Sequence, residues 1–99
     1  MRVIEKQMLK AIEARKDWHG ANTAVHYLSA QETGNPHGSR AEVYLHGNHI
    51  ADYWYGSGIE VNKDTLFRWP TPTTCSRLRA LGVRVNVLRG IPHIDGQPI

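Results

Sequence analysis

Two histidines on either side of a turn, His46-Gly47-Asn48-His49, are the first residues of this chain whose types and spacing allow chemistry. As cross-strand neighbours at a hairpin tip they would offer two imidazoles to a divalent metal if a third ligand such as His19, His26 or Asp52 approached. Two ligands are too few, so no metal and no cofactor are expected. Two surface histidines beside a turn are the plainer account. A second constellation runs through Thr71, Thr73, Thr74, Ser76 and Arg77. At a helix start, free backbone N–H groups, hydroxyls and a guanidinium converging together would suit a phosphate. The ordinary alternative has the hydroxyls capping the helix and Arg77 paired with a carboxylate of the sheet. The third is the aromatic strip Tyr44, Tyr53 and Tyr55 beside His46 and His49, able to stack unpaired bases or anchor a protein partner unless a helix or a second subunit covers it. Catalytic arrangements fare worse. Cys75 with His93, or Ser76 with His49 and Asp52, need a convergence that spacing does not supply, and the acids are scattered where a metal-dependent nuclease wants them clustered. The expectation is a protein that binds and does not catalyse.

The elements that must position these residues follow from periodicity. Between Arg2 and Trp18 the apolar Ile4, Met8, Ala11, Ile12 and Trp18 fall in one sector of a helical wheel, opposite Arg2, Lys6, Lys10, Glu13 and Asp17. That is a core-docking amphipathic helix; its polar sector mixes signs, unlike a membrane-surface helix. His19 to Asn22 stop it, and Thr23 to Leu28 alternate as a strand. Ser29 to Arg40, with Gly34, Asn35, Pro36, Gly38 and Ser39, reads as a mobile surface loop.

Val43 to Trp54 is a β-hairpin about the turn dipeptide Gly47-Asn48. A two-residue turn there sets Leu45 opposite Ile50, Val43 opposite Asp52 and Ala41 opposite Trp54 on the core face. Tyr44, His46, His49, Ala51, Tyr53 and Tyr55 then share the other face. Ile59 to Val61 adds a short strand, and a meander is the simplest topology. The prolines Pro70 and Pro72 bar an earlier start, Thr71 or Thr73 caps, and Gly82 closes a short helix from Thr73 to Leu81. Thr74, Leu78 and Leu81 form its inner face, flanked by Arg77 and Arg79. Val83 to Leu88 returns as a strand, and Asp95-Gly96 marks a last turn.

With 99 residues, 40% apolar and 21% charged, the chain is read as one domain, residues 1–99, with one modest core. The single Cys75 cannot form an internal disulfide, and no apolar run is long enough to span a membrane or act as a leader. The expected location is the cytoplasm. Twelve Lys and Arg against nine Asp and Glu give a net charge of +3. The distribution matters more than the sum. From Thr65 to Ile94 stand Arg68, Arg77, Arg79, Arg84 and Arg89 without one acid, a region suited to a phosphate-bearing or acidic partner, though a merely solvated surface would read the same.

The N-terminal helix, Asn22-Thr23, the run Val43-Tyr44-Leu45-His46-Gly47-Asn48-His49-Ile50-Ala51 and the run Trp69 to Leu81 together resemble small hypothetical proteins encoded by tailed bacteriophages. That group pairs a YLHGNxIA hairpin with a WxTxTTxSRLxAL segment. This chain departs from it in placing Cys75 where a lysine is common. The resemblance implies a viral origin in a host cytoplasm and carries no activity, but small phage proteins of this kind often act by binding.

The expected fold is α+β, a mainly antiparallel sheet of four to six strands packed by the N-terminal helix and the short second helix. The expected role is a non-catalytic accessory protein that contacts nucleic acid or another phosphate-bearing partner through Thr73, Thr74, Ser76, Arg77, Arg79 and Arg84. The alternative is a module that modulates a host protein through Tyr44, His46, His49 and Tyr53. No membrane partner is expected, and self-association is left open.

Overall fold

Hydrophobic spacing in the first segment produces the helix α1 (Val3–Glu13), which buries Met8, Ala11 and Ile12. The computed structural model describes residues 1–35 and 38–99. Arg2 N–H donates to the Glu5 carboxylate at the start of α1, which gives an orphan donor of the first turn a partner. The helix stops short of the expected Trp18. Arg15 takes a φ of 55°, the chain reverses, and Trp18 enters a short edge strand, β1 (Trp18–Gly20). Gly20 permits this close approach, because a Cβ there would stand 3.0 Å from the Trp18 ring and 3.2 Å from Ile4 Cδ1.

Four further strands complete the meander: β2 (Thr23–Leu28), β3 (Arg40–Leu45), β4 (Asn48–Trp54) and β5 (Gly58–Val61). They lie in the order β1-β2-β3-β4-β5 with each neighbour antiparallel. The segment read as a loop contains a single helical turn, α2 (Ala30–Thr33), closed by a capping box between Ser29 and Glu32. Pro36, part of that expected loop, lies outside the described residues. After β5, Asn62 caps α3 (Lys63–Arg68), and Thr71 caps α4 (Pro72–Ala80) with Pro72 in its first turn. The chain ends in a second sheet, β6 (Val85–Leu88), β7 (Ile91–Ile94) and β8 (Gln97–Pro98), in that order.

The architecture is therefore α+β and antiparallel throughout, divided into a five-stranded and a three-stranded sheet. Helix α1 packs on β1 and β2, α3 on β4 and β7, and α4 on β4 and β6. Between them lies the core, built from Met8, Ile12, Val25, Ala41, Val43, Leu45, Ile50, Leu66, Leu78 and Val85. Burying each large member contributes about 1.5–3 kcal/mol.

The hairpin register differs from expectation. Its turn residues are His46 and Gly47, with φ of 51° and 78°, so the loop sits one residue earlier than Gly47-Asn48 and Leu45 pairs with Asn48. Left-handed conformation at both central residues is what a primed two-residue turn requires. The ladder then slips. Tyr44 faces His49 while Val43 faces Ala51, which makes Ile50 the extra residue of a β-bulge. Both Ile50 and Ala51 are consequently buried. Beyond the bulge the face of each β4 residue is reversed: Tyr53 pairs with Ala41 on the core side, while Asp52 pairs with Glu42 on the outer side. The expected six-residue strip does not form.

Candidate functional site

Of the side chains expected to gather an anion, helix α4 turns several inward. Thr74 is buried; the Thr71 hydroxyl accepts its backbone N–H at 3.1 Å, and the two threonine hydroxyls are 2.9 Å apart. Ser76 donates its hydroxyl to Glu5 of α1. Arg77 is 3% exposed, and its Nη1 donates to Glu5 Oε2 at 2.8 Å while its Nε donates to Thr23 Oγ1 at 3.0 Å. The ordinary alternative prevails in altered form: the hydroxyls cap and bridge, and Arg77 meets the carboxylate of α1, not one of the sheet. Burial pushes the Glu5 pKa up, but the hydrogen bonds from Ser76 and Arg77 outweigh it and hold the group below its ordinary value. This corrects the expectation of a guanidinium aimed outward from the helix start.

The cations that remain outside are others. Arg68, Arg79, Arg84 and Arg89 are exposed. Arg79 gives its Nε–H to the Val85 carbonyl at 3.0 Å, which holds its stem against β6. Among the described residues no carboxylate lies within ion-pairing distance of any of the four. Large apolar side chains are exposed in the same acid-free part of the chain: Phe67 and Trp69 flank Arg68 at 62% and 53% exposure, and Leu88 and Ile91 flank Arg89. Thr73, half-buried in the first turn of α4, is the remaining member of the expected set.

Two groups that looked separate in the sequence line one groove. His46 and Asn48 from the hairpin tip, Thr65 of α3 and Trp69 just past its end, and Thr71 and Thr74 from the start of α4 surround a space of about 270 Å³ over Leu45 and Ile50. The hairpin tip is pinned by a backbone bond from His46 N–H to Asn22 O at 2.7 Å. Trp69 was not singled out by the sequence reading. Its signal was an aromatic at a helix end, beside an arginine and ahead of Pro70.

On the outer face of the five-stranded sheet the bulge brings His49 and Asp52 together. In an unbroken strand, positions three apart face opposite ways. Here His49 Nε2 is 2.7 Å from Asp52 Oδ1, and the His49 ring stacks on Tyr44 with centroids 5.1 Å apart. Tyr44 donates its hydroxyl to Glu42 at 3.1 Å, and Arg40 pairs with Glu42 at 3.0 Å. Burial raises the Asp52 pKa; the His49 hydrogen bond and the charges of His49 and Arg40 oppose the shift without cancelling it. Burial and the bond to Glu42 raise Tyr44 likewise. One donor atom each from Glu42, His49 and Asp52 lies within 4.8 Å of the others, so these are the residues that could hold a divalent cation. The Arg40 guanidinium already supplies both carboxylates with positive charge. His46 is not part of this set; His26 instead lies 3.5 Å from Asp17.

Tyr53 and Tyr55 line a different space of about 290 Å³ with Leu9, Ile12, Arg15 and Leu81. The Tyr55 hydroxyl donates to the Ile12 carbonyl, and the Arg15 guanidinium lies 4.1 Å above the Tyr55 ring. Of the candidates for acid–base or nucleophilic work, Cys75 is buried with its thiol pKa pushed up by that burial, which disfavours the thiolate.

Two antiparallel sheets joined by capped short helices, with an acid-free cationic stretch outside, define a small α+β protein. Residues 1–93 match the family model of the Kyanoviridae Gp96 protein, and the chain belongs to that phage protein family. The kinship with small phage proteins that the sequence suggested is thereby established. No curated protein and no solved structure matches the chain. Among the described residues no helix is long and apolar enough to cross a membrane.

Proposed function

We propose that this phage protein is a non-catalytic accessory factor that binds nucleic acid or another phosphate-bearing partner through its C-terminal half. One observation carries the reading: Arg68, Arg79, Arg84 and Arg89 are exposed in a stretch without a single acid and have no carboxylate partner among the described residues. Guanidinium groups left without carboxylate partners offer charge and planar N–H donors to an external phosphate. Of the residues first assigned to this role, Arg79 and Arg84 stay in it, while Thr74, Ser76 and Arg77 serve the fold. A second reading, capture of a host protein, is supported by the Tyr44–His49 ring pair on the outer sheet face; Tyr53, on the inner face, leaves that set.

A salt titration of a fluorescein-labelled oligonucleotide, followed by anisotropy, tests the first reading. The logarithm of the affinity should fall linearly with the logarithm of salt concentration, because each neutralised phosphate releases counterions. Replacing Arg68, Arg84 and Arg89 together by Gln should flatten that dependence. An absence of binding even at low salt overturns the reading. Recovery of one host protein from lysate that is lost on Tyr44→Ala with His49→Ala would favour the second.

A further inference from the structure

We propose that the groove beside Trp69 receives an unpaired base, so that the nucleic acid bound is single-stranded; this rests on the nucleic-acid reading above. Trp69 is 53% exposed at the wall of the groove, and the adjoining Arg68 side chain is exposed to solvent. An indole with half its surface in water gains little for the fold. It does offer a flat face to a base and, through its neighbour, a cation to the phosphate that accompanies that base.

Size and lining agree with such an occupant. A space of about 270 Å³, roughly nine waters at about 30 Å³ each, is large enough to admit a nucleobase. Its floor is apolar, from Leu45 and Ile50, while His46 and Asn48 stand at the rim with donor and acceptor groups for a base edge. Charge complements the ligand as well, since Thr65 to Ile94 contributes arginines and no carboxylate. A duplex keeps its base faces stacked inside and cannot fill this space. Stacking tolerates any base, so weak sequence preference is the companion expectation.

The test compares a labelled oligothymidine with a duplex of the same length at low salt, using wild type, Trp69→Ala, Trp69→Phe and Arg84→Gln. The single strand should bind more tightly than the duplex. Trp69→Ala should lose roughly tenfold or more of that affinity at unchanged salt dependence, and Trp69→Phe should retain most of it. Arg84→Gln should lower the salt slope by about 0.7, one phosphate contact on a single strand. Thermal melting of each variant confirms that it is folded. Tighter binding to duplex, or wild-type affinity in folded Trp69→Ala, overturns this inference while leaving the phosphate reading intact. Failure to bind either probe at low salt removes both.

Discussion

Glu5 and Arg77, 72 residues apart in the chain, join α1 to α4 through a 2.8 Å contact between Oε2 and Nη1, each residue 3% exposed. Ser76 donates to the same carboxylate oxygen, and Thr23 accepts from the Arg77 Nε, so one ionic knot ties both helices to the start of β2 in the main sheet. A buried charge pair of this kind is expensive to assemble and costlier to break on one side, because the survivor is left unpaired away from water.

Removing either partner alone therefore strands a charge. Arg77→Met or Glu5→Leu should each lower stability by about 3–5 kcal/mol, whereas the double variant should recover most of the loss. Urea denaturation of the four proteins measures this as a cycle. If the two single losses simply add in the double variant, the knot is not a coupled pair.

The same carboxylate contributes to the acid sensitivity of the fold. Its pKa is held below the ordinary value, so the stability it contributes is complete above its unfolded pKa and is lost as pH falls through the folded one. The urea midpoint should decline below about pH 4.3 in wild type. In Glu5→Gln, less stable at neutral pH, that acid decline should be shallower. Equal slopes in the two proteins would assign the acid limb to other carboxylates.

What the sequence disclosed was local, and what it concealed was long-range. Periodicity located α1, the strands of the hairpin and α4, because burial on one face leaves a repeat that can be read. The α4 start was legible for the same reason, since caps act within one turn: a helix from Thr73 capped by Thr71 or Thr73 was expected, and Thr71 caps one that begins at Pro72. Arg77, by contrast, looks like any surface arginine until Glu5 arrives from the other end of the chain, and no spacing rule connects residues that far apart. The bulge at Ile50 was equally hidden. Two consecutive apolar residues, Ile50 and Ala51, break strict alternation, yet alternation read through them assigned Tyr53 to the outer face. The division into two sheets depends on α3 and α4 intervening between β5 and β6, and the short α3 offers little period to recognise. As for the groove, the hairpin tip and the α4 start were each legible but Trp69 was not, and their meeting is a tertiary fact.

The turn gives a sharper test of local energetics. His46 occupies a left-handed conformation at φ 51° beside Gly47 at 78°, a geometry that favours Asn and Gly. His46→Asn should hold or raise stability by a few tenths of a kcal/mol, and Gly47→Ala should lower it by about 1 kcal/mol. Melting temperatures decide the matter. A stabilising Gly47→Ala would mean that the loop is not a primed turn.

Asp52 supplies a pH dependence opposite in sign to that of Glu5. Burial raises its pKa, and neither His49 at 2.7 Å nor Arg40 at 3.9 Å restores it to the ordinary value. A carboxyl whose folded pKa lies above its unfolded one favours the fold when protonated, so its ionisation costs stability at neutral pH. Asp52→Asn keeps the shape and removes the titration. Its melting temperature relative to wild type should therefore be higher at pH 7 than at about pH 3, where a carboxyl of raised pKa is predominantly protonated. Deleting the compensating ring should enlarge the effect: in a His49→Ala background the gain from Asp52→Asn at pH 7 should exceed that in the parent. A difference independent of pH would show that His49 and Arg40 fully offset the desolvation of Asp52.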